Sequence, residues 1–168
     1  MTHIIRDIVL ADHDQLVELN SASVPAVSEV TSEGFARLVK TSGTAFAAVD
    51  DAAEHEVLGF IVAFVPGSSY ASENYRFFEN RGTNSLYIDR IVVRESHRQQ
   101  KLGQLLYAHA FELAASAGRA ELTCEVNIEP PNPGSMRFHE RLGFVEIGQQ
   151  QTKDGTVRVA LLAASVTD

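Results

Sequence analysis

A chain of 168 residues carrying a net charge of −8 can bury one sizeable core, and it is too acidic to hold nucleic-acid phosphates by charge. Its 45% hydrophobic and 21% charged residues exclude a disordered chain. No apolar run approaches a membrane span, and the opening "MTHIIRDIVLADHD" lacks a basic segment leading into an apolar core, so no secretory signal is expected.

The first apolar run, "HIIRDIVL", reads as a strand. "ADHDQLVELNSASV" then repeats Leu16, Leu19 and Val24 near helical spacing, with Asp12 placed to cap that helix. A second short helix fits residues 31–41, where Phe35, Leu38 and Val39 share a side. "TAFAAVD" and "EVLGFIVAFV" form a hairpin pair joined by the acidic turn "DDAAEHE".

Residues 66–84 read as the longest irregular stretch, of a length that is usually functional or mobile. Tyr70, Tyr75, Phe77 and Phe78 suit it to packing, and to covering an acceptor pocket. The strand "SLYIDRIVV" follows. A helix over 102–117 then carries Leu102, Leu106, Leu113 and Ala117 on one stripe and stops at Gly118.

"AELTCEVN" is a further strand, and "NPGSMRFHERLG" a helix with Asn132 as N-cap, Pro133 in the first position and Gly143 as the stop. "FVEIGQQQ" and "TVRVALLA" close the chain as a hairpin across "TKDG". No repeat or linker interrupts this order, which gives one α/β domain over residues 1–168.

The single cysteine, Cys124, has no intrachain partner, and the simplest setting is a reducing, cytoplasmic one. Six scattered histidines show no His-Glu-x-x-His spacing and no Cys-x-x-Cys is present, so no metal site is expected.

Chemistry concentrates in residues 85–144. There "HRQQKLG" links a buried strand to a helix, and the first N–H groups of that helix suit a pyrophosphate. Arg98-Gln99-Gln100-Lys101-Leu102-Gly103 resembles the Arg/Gln-x-x-Gly-x-Gly/Ala turn of the GNAT N-acetyltransferase superfamily. Asn132, Ser135, Phe138, His139, Gly143 and Phe144 resemble the same family's later motif, Asn-x-x-Ala/Ser-x-x-Leu/Phe-Tyr-x-x-x-Gly-Phe. With "IIRDIVLADHDQLVEL" similar to the family's first strand and helix, the resemblance covers nearly the whole chain.

That resemblance implies a mixed, mostly antiparallel twisted sheet flanked by helices, and an acyl-CoA-dependent N-acyltransferase using acetyl-CoA on a primary amine. It implies a coenzyme A site in which residues 98–104, with Gln104 the last, hold the pyrophosphate. Ile91, Val92 and Val93 give main-chain contacts to the pantetheine arm, and Asn132, Ser135 and Phe138 contribute from the second motif. Lys101 stands where the family has glycine, and its ammonium can add a phosphate contact. The oxyanion donor falls near Val92 or Val93.

His139 occupies the place of the tyrosine that commonly protonates the leaving thiolate, and a histidine can do so near neutral pH. Two carboxylates compete as base. Glu125 resembles the glutamate of ribosomal-protein alanine acetyltransferases, and Asp89 lies on the cofactor strand. Cys124 falls on the opposite strand face from Glu125 and reads as a core thiol. A homodimer is expected by resemblance; a non-catalytic coenzyme A-binding module, another acyl donor and a hydroxyl acceptor are the alternatives.

Overall fold

A computed structural model describes residues 2–166. Among these, the chain runs β1 (His3–Asp7), α1 (His13–Ala22), α2 (Ser32–Ser42), β2 (Gly43–Asp50), β3 (Ala53–Phe64), α3 (Glu73–Asn80), β4 (Ser85–Val93), α4 (Leu102–Ser116), β5 (Glu121–Glu129), α5 (Pro133–Arg141), β6 (Val145–Thr152) and β7 (Val157–Ser165). Seven strands make one sheet in the order β1-β2-β3-β4-β5-β7-β6, and every neighbouring pair is antiparallel except β4 with β5. The mixed, mostly antiparallel sheet flanked by helices is therefore the observed fold.

Each face of the sheet has its own core. Leu86, Ile88, Leu102, Leu106, Tyr107, Ala110, Cys124 and Phe144 belong to the face under α4 and α5. Leu16, Leu19, Phe35, Leu38, Phe60, Tyr75, Phe78 and Tyr87 belong to the face under α1, α2 and α3. Alternation along the strands distributes the two sets, since successive side chains point to opposite faces.

Local chemistry shifts several expected boundaries. The first strand stops at Asp7 because Arg6 and Asp12 fold the following residues back. The Asp12 carboxylate accepts from Arg6 Nη1 and Nη2 at 2.8 and 2.9 Å and from the Val9 N–H at 2.9 Å. Asp12 is thereby buried and committed, has helical dihedrals, and does not cap α1. Thr31 does cap α2, its Oγ1 accepting from Gly34 N at 3.0 Å.

The stretch 66–84 is not irregular throughout. Ser72 accepts from Tyr75 N and starts α3, whose Tyr75 and Phe78 are buried. Tyr70 stacks on Phe64 with ring centroids 4.0 Å apart, and Tyr75 donates to the Val65 carbonyl at 2.6 Å. The aromatic residues thus fasten the segment to the sheet. In α4 the buried stripe is Leu102, Leu106, Tyr107, Ala110 and Ala114, whereas Leu113 and Ala117 face solvent.

At the second motif Asn132 Oδ1 accepts from Ser135 N at 3.4 Å, Pro133 opens α5, and Gly143 turns the chain with φ +94°. Gly118 ends α4 with φ +70°.

Candidate active site

The site begins as a defect in the sheet. Between β3 and β4 the partner of Val62 is Arg90 and that of Ala63 is Ile88, so Asp89 is an extra, unpaired residue. Such a bulge bends its strand and reverses which side chains face which core. Leu86 and Ile88 pack on the α4 side before it, and Ile91 and Val93 pack on that same side after it. The parallel pairing of β4 with β5 covers only Ser85 to Tyr87 against Glu121 to Thr123. Beyond those residues the two strands separate, and a cleft of about 740 Å³ opens between them.

Ile88, Asp89, Arg90 and Ile91 to Val93 line one wall of that cleft, with Cys124, Glu125 and Asn127 on the other. The edge of β4 turned away from β3 is free over Ile91, Val92 and Val93, as the extended-arm expectation requires. At one end lie Arg98, Gln99, Lys101, Gly103, Gln104, Asn132, Ser135 and Phe138. Among the described residues Arg98 and Lys101 have no ion-pair partner. Two of the expected contacts differ in kind. Leu102 is fully buried in the core beneath the turn, and Gln100 points to solvent outside the cleft, so only their backbone belongs to the turn.

The turn itself departs from expectation in an instructive way. Residues 95–100 form a 3-10 turn, and Lys101 then adopts φ 60°, ψ 21° before α4 begins. The left-handed conformation that glycine takes readily is therefore kept here by a lysine. Gly103 is not required for its dihedrals. A β-carbon there would lie 2.9 Å from Phe138 Cζ, so this glycine lets α5 approach α4.

The other end of the cleft gathers carboxylates and phenols. Asp89 is bonded through both oxygens: Arg90 Nε donates at 2.8 Å and the Tyr70 hydroxyl at 2.7 Å. Arg90 is buried, and it also donates to Asn20 Oδ1 and to the Ser28 carbonyl and hydroxyl, tying β4 to α1 and the segment after it. This committed pairing makes Asp89 a structural anchor at the bulge.

Glu125 is less encumbered. The Tyr87 hydroxyl donates to its Oε2 at 2.7 Å, and among the described residues no cation is bonded to it. Burial and the nearby charge of Asp89 push its carboxyl up to about 8, against hydrogen bonds from Tyr87 and Asn74 and the charge of Arg90. A carboxyl in that range exchanges a proton readily near neutral pH.

His139 is buried, and both of its ring nitrogens are occupied. Nδ1 lies 2.8 Å from the Ser135 carbonyl, which can only accept, so Nδ1 carries the proton. Nε2 is then the acceptor for the Tyr107 hydroxyl at 2.7 Å. Burial lowers the pKa of this imidazole and keeps it neutral, with the Ser135 carbonyl acting in the other direction. A proton passing from His139 to a ligand in the cleft would go through the Tyr107 hydroxyl or the Ser135 hydroxyl, whose Oγ lies 3.3 Å from Nδ1. Cys124 is a buried thiol in contact with Tyr107; burial and the charge of Glu125 push its pKa well up, so it stays protonated.

Sequence reasoning placed Tyr70 only in the covering segment and missed Asn74, Tyr87 and Tyr107. Tyr87 lies two residues before Asp89 on one strand, and Tyr107 one turn after Gly103, so both read as core aromatic residues. Among the described residues no His, Cys, Asp and Glu cluster could hold a metal, and no helix is long and apolar enough to cross a membrane.

Residues 13–144 match the model of the Acetyltransferase (GNAT) family. Solved structures share the fold over essentially the full chain. Ard1 from Thermoplasma volcanium superposes with a TM-score of 0.78 at 18% identity, covering 100% of both chains. Arabidopsis thaliana NAA60 in complex with acetyl-CoA gives 0.76 at 18% identity, covering 99% of this chain and 100% of that one. The ribosomal-protein-S18-alanine N-acetyltransferase from Escherichia coli gives 0.72 at 17% identity, covering 99% and 96%.

Proposed function

The chain belongs to the GNAT acetyltransferase family, and from that premise we propose that it transfers an acetyl group from acetyl-CoA directly to a primary amine. The observation that carries this reading is the forked sheet, with an anion-seeking helix start at one end and a proton-exchanging carboxylate, Glu125, at the other.

The first N–H groups of α4 and the Arg98 and Lys101 side chains would hold the cosubstrate's phosphates, since a helix start offers unpaired donors and partial positive charge. The free edge of β4 over Ile91, Val92 and Val93 would take the pantetheine amides as a partial strand, and an N–H at Val92 or Val93 would face the thioester oxygen. Asn132, Ser135 and Phe138 close that side. Glu125 receives the proton that the amine nitrogen loses as it attacks the thioester carbon. Direct transfer suits the one cysteine present, because a protonated buried thiol is a poor nucleophile.

Relatives support the cosubstrate: one of the similar structures holds acetyl-CoA, and others act on amines by their names. The test is release of free thiol from acetyl-CoA in the presence of a panel of primary amines, including spermidine, phenethylamine and peptides with free N-termini, with amide formation read by mass spectrometry. Amine-dependent release that rises with pH through the range of Glu125 is expected. Tight coenzyme A binding with no amine accelerating release would leave a binding module and sink the transferase reading.

A further inference from the structure

The proposed reaction needs a proton on the sulfur side as well as a base on the nitrogen side. The N–C bond forms, the C–S bond breaks, the electron pair stays on sulfur, and that thiolate must be protonated. We propose that Tyr107 is the residue that protonates it, with His139 holding the Tyr107 hydroxyl in place.

Tyr70 and Tyr107 line the cleft and Tyr87 lies buried behind Glu125, and the three hydroxyls differ in what they are bonded to. Tyr70 donates to Asp89 and Tyr87 donates to Glu125. In both, the phenol proton is committed to a carboxyl oxygen. Tyr107 comes from α4, beside Cys124 and His139, with Ser135 and Phe138 also lining the cleft. Its acceptor is a neutral nitrogen. A hydroxyl bonded to a neutral lone pair turns to a new anion at the cost of one neutral hydrogen bond. One bonded to a carboxylate leaves a buried charge behind.

His139 cannot make this donation itself while Nδ1 faces the Ser135 carbonyl and Nε2 is a lone pair. Its place is behind the tyrosine: the edge-to-face packing of the two rings, with centroids 5.3 Å apart, and the 2.7 Å bond fix the hydroxyl at the cleft wall. The proton balance closes without another reactant. Nitrogen loses one proton to Glu125, sulfur gains one from Tyr107, and the proton on Glu125 returns to the phenolate through water in the cleft. The phenolate does not persist, because burial holds the Tyr107 pKa well above that of a free tyrosine.

This inference rests on the transferase reading, and its test separates the two. Thiol release from acetyl-CoA with the amine panel is measured for the parent, Tyr107→Phe, and the exchange variant Tyr107→Phe/His139→Tyr, with coenzyme A affinity by calorimetry and melting temperature for each. Tyr107→Phe should lower kcat about a hundredfold, the usual share of general acid catalysis, while coenzyme A affinity stays within about twofold. The exchange variant, which returns a phenol from the other helix, should recover kcat to within about tenfold of the parent. Parent-like kcat in Tyr107→Phe overturns the proposal while leaving the transferase reading intact. So does an exchange variant that melts like the parent and binds coenzyme A, yet stays as slow as Tyr107→Phe. A parent that releases no thiol with any amine sinks the transferase reading, and this proposal with it.

Discussion

Replacing Glu125 with glutamine should stop turnover and strengthen the fold at once. The carboxyl sits deep in the cleft beside Asp89, with the Tyr87 hydroxyl as its close donor, and its pKa rises from 4.5 to about 8. Below about pH 4.5 folded and unfolded chains both hold this proton, and the residue costs nothing. Between 4.5 and about 8 the unfolded chain ionises first, so stability falls as pH rises, and above 8 the full cost remains. The displacement corresponds to roughly 5 kcal/mol above pH 8 and roughly 3 kcal/mol at pH 7. Water entering the cleft screens part of this, which leaves about 1–3 kcal/mol at pH 8. Glutamine keeps an oxygen for Tyr87 and removes the charge. Melting temperature at pH 8 should therefore rise by roughly 3–8 °C, with the difference shrinking to a degree or two at pH 5. Amine-dependent thiol release should fall about a hundredfold. An equal offset at both pH values, or a lower melting temperature at pH 8, would refute the buried-carboxylate argument whatever happens to activity.

Gly103→Ala should destabilise the fold by about 1–3 kcal/mol, because its β-carbon drives the Phe138 ring off α4. Adding Phe138→Leu should return most of the lost melting temperature, and Gly103→Ala melting like the parent would show that the ring gives way freely. Lys101→Gly should raise the melting temperature by about 2–4 °C, since a left-handed lysine costs about 1 kcal/mol that glycine avoids. Calorimetry should find coenzyme A affinity only modestly reduced in that variant, because the turn backbone and Arg98 remain. A large loss would assign the contact to the ammonium instead.

Much of the fold was legible where one signal dominated. Thr31, Asn132 and Pro133 announce helix starts through capping chemistry that acts within three residues, and Gly118 and Gly143 announce stops through positive φ. Asp12 misled because the same carboxylate that can cap a helix was claimed by Arg6 and the Val9 N–H. Residues 66–84 misled for a related reason. Glycine and serine gave it the look of a loop, while the contacts that order α3, from Tyr75 to the Val65 carbonyl and from Tyr70 to Asp89, reach partners 10 and 19 residues away. Long-range partners leave no periodicity to read.

The site was half legible for the same physical cause. The turn before α4 is a local object, and its spacing survives even with Lys101 in place of glycine. The geometry of the cleft depends on a bulge, which inserts one residue into a strand that otherwise alternates. In "LYIDRIVV" the apolar side of the strand shifts parity between Ile88 and Ile91, and Asp89-Arg90 stands at the break. Two adjacent opposite charges inside an apolar strand are costly unless something brings them together, and the bulge does so, placing Arg90 Nε 2.8 Å from Asp89. That one inserted residue has three consequences. It lets β4 leave β5 after Tyr87, it places Asp89 where it adds to the burial that raises Glu125, and it anchors the strand to α1 through Arg90 and Asn20. Opening the cleft, shifting the Glu125 carboxyl and securing the cleft wall are thus one structural event, and moving Asp89 by deletion would disturb all three together.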